Sequence, residues 1–420
     1  MNKRTRNIIS AIALVILLQS ANAAETNFIL SDSTGIKFNS GKFSEPVLKQ
    51  KESLSPSIKI PFTQDGTVYF VTEAQVEHTF DATFKSSNNT LDNSITLDLP
   101  LFKAAAAFDV QNGASVLAAA GRFSVSDLTA VILSQSADGI FASFDSPRFT
   151  ASAYAGFTGL LNARTVSFTD SAGTDLSDNT SSSPYTLADP YTLIMLSCGM
   201  PYLVFNQSLS LETLAVLGPN DGKSRIYATV GLNGPLAQSV FYSASTTLGA
   251  KNFEEFSNLS MMSVEFYPDF LNSRAVFSAE YASGNNGGLS AFTAFTKSNA
   301  TLAADEPAHS AILKCGASYS LCPQDKVFCQ IGSGVIFKVP GNSAEYSGIQ
   351  IQGLVKYQPF TDLSISFSIE SYIADKKGED LMTHRLYLND DWLFTEQFED
   401  SLAAPEYPEN TLQPVRLPHT

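Results

Sequence analysis

Apolar and polar residues alternate with period two over long stretches of this 420-residue chain, most clearly in its second half. Met262, Val264 and Phe266 fall on one side of a run whose other side is Ser263 and Glu265, and Pro268-Asp269 then breaks it. The chain returns with Ala275, Phe277, Ala279 and Tyr281 set against Arg274, Ser278 and Glu280. A second pair of runs sets Ile349, Ile351, Val355 and Tyr357 against Gln350, Gln352 and Lys356. Past a turn at Gln358–Asp362 it sets Leu363, Ile365, Phe367 and Ile369 against Ser364, Ser366, Ser368 and Glu370. Side chains of a strand point alternately to opposite faces, so each run has one greasy and one polar face. Runs of about ten residues match tilted membrane strands, whereas strands of soluble sandwiches average about five or six.

The same pattern predicts strands over 67–79, 94–102, 103–110, 115–123, 129–135, 139–145, 148–157, 191–199, 208–217, 224–232, 238–247, 259–267, 273–282, 310–320, 326–338, 347–357, 362–372 and 382–390. That is eighteen, with fourteen as the lower bound because the periodicity is weakest between Pro100 and Ser208. Short turns such as Asp145–Arg148, Asn233-Gly234-Pro235 and Gln358-Pro359 alternate with long polar connections at Gly159–Pro190, Leu248–Asn258 and Ser283–His309. Short turns on one rim and long loops on the other are the layout of an outer-membrane barrel, the short side periplasmic. The expected fold is therefore all-β, a transmembrane antiparallel up-and-down β-barrel over 67–390.

Three flanking segments stand apart. Lys3, Arg4 and Arg6 precede an apolar run from Ile8 to Leu18 and the small-x-small site Ala21-Asn22-Ala23, so 1–23 reads as a cleaved signal peptide. The polar, faintly periodic 24–66 reads as a periplasmic arm or lumen plug, with a further strand pair as the alternative. Residues 391–420 read as an acidic, Pro-rich periplasmic tail; the chain ends Leu417-Pro418-His419-Thr420, without the terminal aromatic on which many bacterial barrels close.

Charge narrows the function. The leader holds three of the 26 basic residues and none of the 41 acidic ones, so the mature chain carries −18 and is no match for nucleic acid. Charged residues make up only 16% of the chain, while it holds 30 Phe and 15 Tyr, as expected for strands with one face toward lipid. By parity the inward acids are Glu73, Glu77, Asp98, Glu265, Glu280 and Glu370, and the inward bases are Arg122, Arg225, Arg274, Lys314, Lys338 and Lys356. The two sets balance, which places the excess negative charge in loops and tail and argues against a strongly charge-selective wall.

Gly121-Arg122-Phe123, Asp127 and Ser134-Gln135-Ser136-Ala137-Asp138-Gly139-Ile140 resemble porin-like barrels of spirochaetes. So does Glu280-Tyr281-Ala282-Ser283-Gly284, which is also similar to alginate-export-type porins. These stretches lie within 121–140 and 280–284, a small part of the chain. The resemblance implies a pore-forming barrel and brings no substrate or site residues with it.

Chemistry is sparse. The four histidines, His78, His309, His384 and His419, have no Gly-x-Ser-x-Gly nucleophile to serve, and neither His-x-x-x-His nor Cys-x-x-Cys occurs. Asp170–Asn179 does not have the spacing of an EF-hand. Of Cys198, Cys315, Cys322 and Cys329, the pair Cys315 and Cys329 flank a turn at equal distance and read as small apolar residues facing lipid, with a cross-strand pairing as the alternative. The expectation is no enzyme, cofactor or metal, but a channel in the bacterial outer membrane for passive or facilitated diffusion of small polar solutes. The alternative is a blocked barrel whose surface serves adhesion or partner binding. Expected partners are outer-membrane lipid and those solutes; the oligomeric state is left open.

Overall fold

The computed structural model describes residues 24–39, 46–84, 89–110, 113–177, 183–219, 224–268, 272–285, 288–297, 309–341, 343–374 and 382–395. Eighteen strands run in chain order: Glu25–Asn39 (β1), Val47–Pro61 (β2), Val68–Thr83 (β3), Thr90–Val110 (β4), Ala114–Ser126 (β5), Ser134–Asp145 (β6), Thr150–Phe157 (β7), Thr192–Val204 (β8), Gln207–Leu217 (β9), Arg225–Ala237 (β10), Val240–Lys251 (β11), Glu255–Phe266 (β12), Arg274–Ala282 (β13), Ile312–Gln324 (β14), Val327–Lys338 (β15), Glu345–Phe360 (β16), Leu363–Ala374 (β17) and Met382–Thr395 (β18). Each pairs antiparallel with its sequence neighbours, and β1 pairs with β18 from Asn27↔Thr395 to Asn39↔Thr383, closing the sheet into a barrel.

The strand number equals the sequence expectation, but the membership differs. Residues 24–66, read as an arm or plug, instead supply β1 and β2 to the wall. Their outward-facing positions are apolar at both ends but polar in the middle, at Asp32, Thr34, Gln50 and Glu52, which hides the period. Two expected strands, 94–102 and 103–110, are the single strand β4, which passes through Pro100. Proline lacks an N–H, and it is accommodated because the β3 ladder skips from Asp98 to Leu101 and the other edge pairs with β5 only from Phe102 onward. The apolar run 129–135 is mostly not strand: the Asp127 carboxylate accepts the N–H groups of Thr129, Ile132 and Leu133, folding a tight turn. Leu248–Asn258 is no long loop, because β11 and β12 are joined through Asn252 and Phe253 at φ of 49° and 61°. Asn233-Gly234-Pro235 lies inside β10, and the turn follows it. Strand β18 takes the first five residues of the expected tail; the rest of the expected tail and the expected signal peptide, 1–23, lie outside the described residues.

The hydrophobic core sits in one mouth of the barrel. Its inner layer comes from three connections on the same rim: Ile132 and Leu133 between β5 and β6, Phe168 between β7 and β8, and Phe292 and Phe295 between β13 and β14. They pack on lumen-facing wall residues, among them Tyr154, Leu193, Leu214 and Tyr227. Phe168 and Phe295 stack with centroids 4.8 Å apart. Arg225, only 2% exposed, fastens this layer to β10 by donating to the carbonyls of Thr169 (2.6 Å), Asp170 (3.1 Å) and Ala294 (3.0 Å), and so holds two loops at once. The loops are tied to each other further out by Lys297 and Asp175, 2.8 Å apart.

The β7–β8 connection also repairs the wall. Above Phe102, β4 has no β5 partner, and the Leu97 N–H donates to Pro184 O (3.1 Å) while Asn162 Nδ2 donates to Leu97 O (2.7 Å). Backbone groups at an unpaired edge need such partners.

Two outcomes follow for the mouth. Arg225→Ala removes three charge-assisted bonds, each worth on the order of 1.5–3 kcal/mol; limited proteolysis should then cut between 159 and 177 or 288 and 297 while the barrel stays folded. Burial opposes ionisation of Asp175, but Lys297 and the Ser177 N–H outweigh it and hold its carboxyl below the ordinary 3.8. The Lys297 tie is therefore complete above the ordinary carboxylate range and lost as pH falls through the lowered value. Amide exchange at Ser177, corrected for its intrinsic rate, should quicken in that acid window, and Asp175→Asn should abolish the step.

Candidate functional site: a polar chamber in the lumen

Because cross-strand partners share a face, the registers carry the lumen side continuously round the barrel. That side is rich in hydroxyls bonded across neighbouring strands: Ser31 to Ser53 (2.6 Å), Ser152 to Ser197 (2.6 Å), Thr229 to Thr247 (2.9 Å) and Ser243 to Ser263 (2.8 Å). A hydroxyl both donates and accepts, so these pairs satisfy themselves and still offer lone pairs to water.

Four expected site residues come together on β12, β13 and β14. Glu265, Arg274, Glu280 and Lys314 line one chamber of about 570 Å³, with the serines of β11–β13 and with Leu128 and Thr129 of the β5–β6 turn. Arg274 grips Glu265 with two bonds, Nη2 to Oε1 (2.6 Å) and Nε to Oε2 (3.1 Å), and the Tyr267 hydroxyl donates to the same carboxylate (2.6 Å). Glu280 is engaged by His309 Nδ1, brought in by the end of the β13–β14 connection. Lys314 sits opposite Glu280 in the ladder and, among the described residues, has no hydrogen-bond or ion-pair partner. The chamber thus presents two occupied carboxylates, one occupied guanidinium and one available ammonium.

The other candidates are dispersed. Glu77 faces the lumen paired with Lys51 (2.8 Å), and Glu73 lies two positions along the same face opposite Ser57. Asp98 pairs with Gln75 beside the β3–β4 irregularity. Lys338 is opposite Ile312, Lys356 opposite Ser366, and Glu370 opposite Gln352, all in lumen rows. Arg225 is inside the barrel but committed to the mouth loops.

Arg122 corrects the expectation. Its row runs Phe102–Arg122–Asp138–Phe157 on the outer side, while Phe123 and Ala137 face inward. Parity had placed it inward; here Asp138 clamps the guanidinium (2.8 and 2.9 Å) and the carbonyls of Leu99 and Leu160 complete it beneath the β7–β8 loop. The cysteines are also separated: Cys315 is opposite Val335, and Cys329 opposite Leu321.

Sequence reasoning missed lumen charges on the first strands. Lys49 meets Asp81 (3.3 Å), and Lys59 and Lys103 lie 5.6 and 5.9 Å from the centre of the Tyr69 ring. It also took the loops for polar, although Phe168, Phe292 and Phe295 were the available signal of inward packing.

No protein-family model and no curated protein matches the chain. Solved structures do. The outer membrane protein OpdK of Pseudomonas aeruginosa matches with a TM-score of 0.57 at 10% identity, covering 89% of this chain and 99% of that one. OccAB1 of Acinetobacter baumannii gives 0.56 at 11%, covering 89% and 98%. The outer membrane protein OprD of Pseudomonas aeruginosa gives 0.51 at 11%, covering 90% and 96%. At such identities the likeness is one of fold, and it extends over the whole barrel. It agrees with a porin-like barrel, while the spirochaete and alginate-export families have no counterpart among these three.

Proposed function

We propose that the chain is an outer-membrane channel through which small polar solutes diffuse. The observation that carries this reading is the contrast between the faces of one closed sheet. Outward stand Met262, Phe277, Ile331, Val355 and Phe367, all large, apolar and exposed; inward lie the hydroxyl pairs and the charged chamber. Monomeric soluble proteins rarely expose so extended an apolar surface, and a closed sheet leaves no backbone group unpaired in lipid. The two structures described as outer membrane proteins share this architecture. The inward loops make the mouth a constriction, and the chamber beyond it offers a solute hydroxyls and the Lys314 ammonium. Charged side chains that line a narrow pore set its selectivity.

Refolded protein in a planar bilayer should give stepwise openings, and a folded but silent barrel would favour the adhesion reading. Arg225→Ala should raise the unit conductance by loosening the mouth. Lys314→Glu should move the reversal potential under a salt gradient toward cation preference. The faces are testable separately: Ile351→Arg or Phe367→Arg should block membrane assembly, since an outward arginine costs about 2–4 kcal/mol near the midplane. Gln352→Arg and Ser366→Arg, on the lumen rows, should assemble; equal behaviour of all four variants, read by heat-modifiable migration, would refute the assignment of faces.

A further inference from the structure

The β5–β6 turn reaches well beyond the strands that carry it. In the wall β7 and β8 stand between β6 and β9, yet the Leu128 N–H donates to Glu212 Oε1 on β9 (2.9 Å), and the Leu128 side chain lies on Gly231 of β10. Gly231 is midway along β10 in the lumen row of Ser210 and Ser245, so the turn passes in front of β7 and β8 and comes down inside the bore. A Cβ on Gly231 would meet Leu128 Cδ2 at 3.0 Å, closer than ordinary van der Waals contact, so the leucine occupies the room that a side chain at 231 would take. One residue holds the turn in this shape. Asp127 is buried, and its carboxylate accepts the Thr129 N–H (2.8 Å) and hydroxyl (2.5 Å) at Oδ2 and the Ile132 (2.9 Å) and Leu133 (2.8 Å) N–H groups at Oδ1. Its backbone adds bonds to Leu133 O (2.9 Å) and from the Ala130 N–H (3.0 Å). Ala130 takes a φ of 55°, a left-handed conformation that strains a residue with a Cβ and persists where its surroundings over-determine it. On the far side the N–H groups of Phe295 and Thr296 both donate to Ile132 O (2.9 Å each) and brace the turn.

A turn fixed in this way presents its tip as a rigid object. Leu128 is 41% exposed, and it lines the chamber together with Glu280, Lys314 and the serines of β11–β13. Its isobutyl group offers a polar solute no hydrogen bond in exchange for those the solute makes with water, so it discriminates by bulk, whereas the Lys314 ammonium discriminates by charge. The Cβ direction at Gly231 points into the lumen, so a side chain there would push the leucine off the wall and toward the bore. We propose that Leu128 sets the size of solute that the chamber admits, and that Asp127 is the positioning residue that holds it there. The inference deepens the channel reading given above and rests on it.

Full-length protein in liposomes, swelling in isotonic arabinose or sucrose, reads this as the ratio of the disaccharide rate to the pentose rate; both sugars are neutral, so the charge of Lys314 does not bear on it. Leu128→Ala should raise the ratio several-fold, Leu128→Met should keep it at the original value, and Gly231→Ala should lower it. In the Leu128→Ala background Gly231→Ala should have no effect, because the contact it disturbs is gone. Asp127→Asn turns one acceptor oxygen into a donor and should raise the ratio as Leu128→Ala does, and the two combined should go no further than Leu128→Ala alone. An aspartate that only supported folding would lower the yield of heat-modifiable barrel and leave the ratio where it was. The inference is overturned by an unchanged ratio in folded Leu128→Ala barrels, by a Gly231→Ala effect that persists in the Leu128→Ala background, or by additive effects of Asp127→Asn and Leu128→Ala. If Leu128→Ala does not fold, Gly231→Ala decides: a lower ratio supports the inference and an equal one refutes it. Failure of the channel reading looks different, since liposomes holding the unaltered chain would then swell in neither sugar.

Discussion

The hydrogen-bond ladder between β1 and β18 is the interaction on which the rest depends. An open sheet of this size would present two long edges of unpaired N–H and C=O groups, and in lipid those groups have no other partner. Closure removes both edges at once and divides the side chains into an enclosed and an exposed set. Even the local exception obeys the rule: where β5 leaves β4, the β7–β8 loop supplies Pro184 and Asn162 to the free backbone of Leu97.

A closed sheet has no second layer to pack against, so the core has been displaced. It lies in the mouth, where three connections fold back onto the wall, and a single buried guanidinium holds two of them through main-chain carbonyls. Carbonyl partners fix position without neutralising charge, so the arginine keeps its field at the entrance. The same loops that give the barrel a core also occupy its mouth, next to the chamber.

Polar groups on the barrel serve opposite ends depending on face. Inside, hydroxyl pairs and ion pairs line the lumen. Outside, an ion pair such as Arg122–Asp138 survives because the loop buries it and the neighbouring carbonyls saturate the guanidinium. Among the described residues, side chains of Asp32, Gln50 and Glu52 on β1 and β2, and of His78 and Asn93 on β3 and β4, bond to one another.

Period-two alternation determined the fold class, most strand positions and the two faces of β12, β13, β16 and β17, because each residue in a regular strand reports its face independently of the rest. That logic also gave Glu265, Arg274, Glu280 and Lys314 their common side. It did not extend to β1 and β2, where Asp32, Thr34, Gln50 and Glu52 take outward places usually held by apolar residues, nor to β4, where an irregularity beside Pro100 resets the parity. Which lumen residues meet in one chamber, that Arg225 anchors loops and that Arg122 turns outward were decided by the tertiary structure alone. Cross-strand register, loop path and irregularities join residues tens to hundreds of positions apart, and no local pattern carries that information.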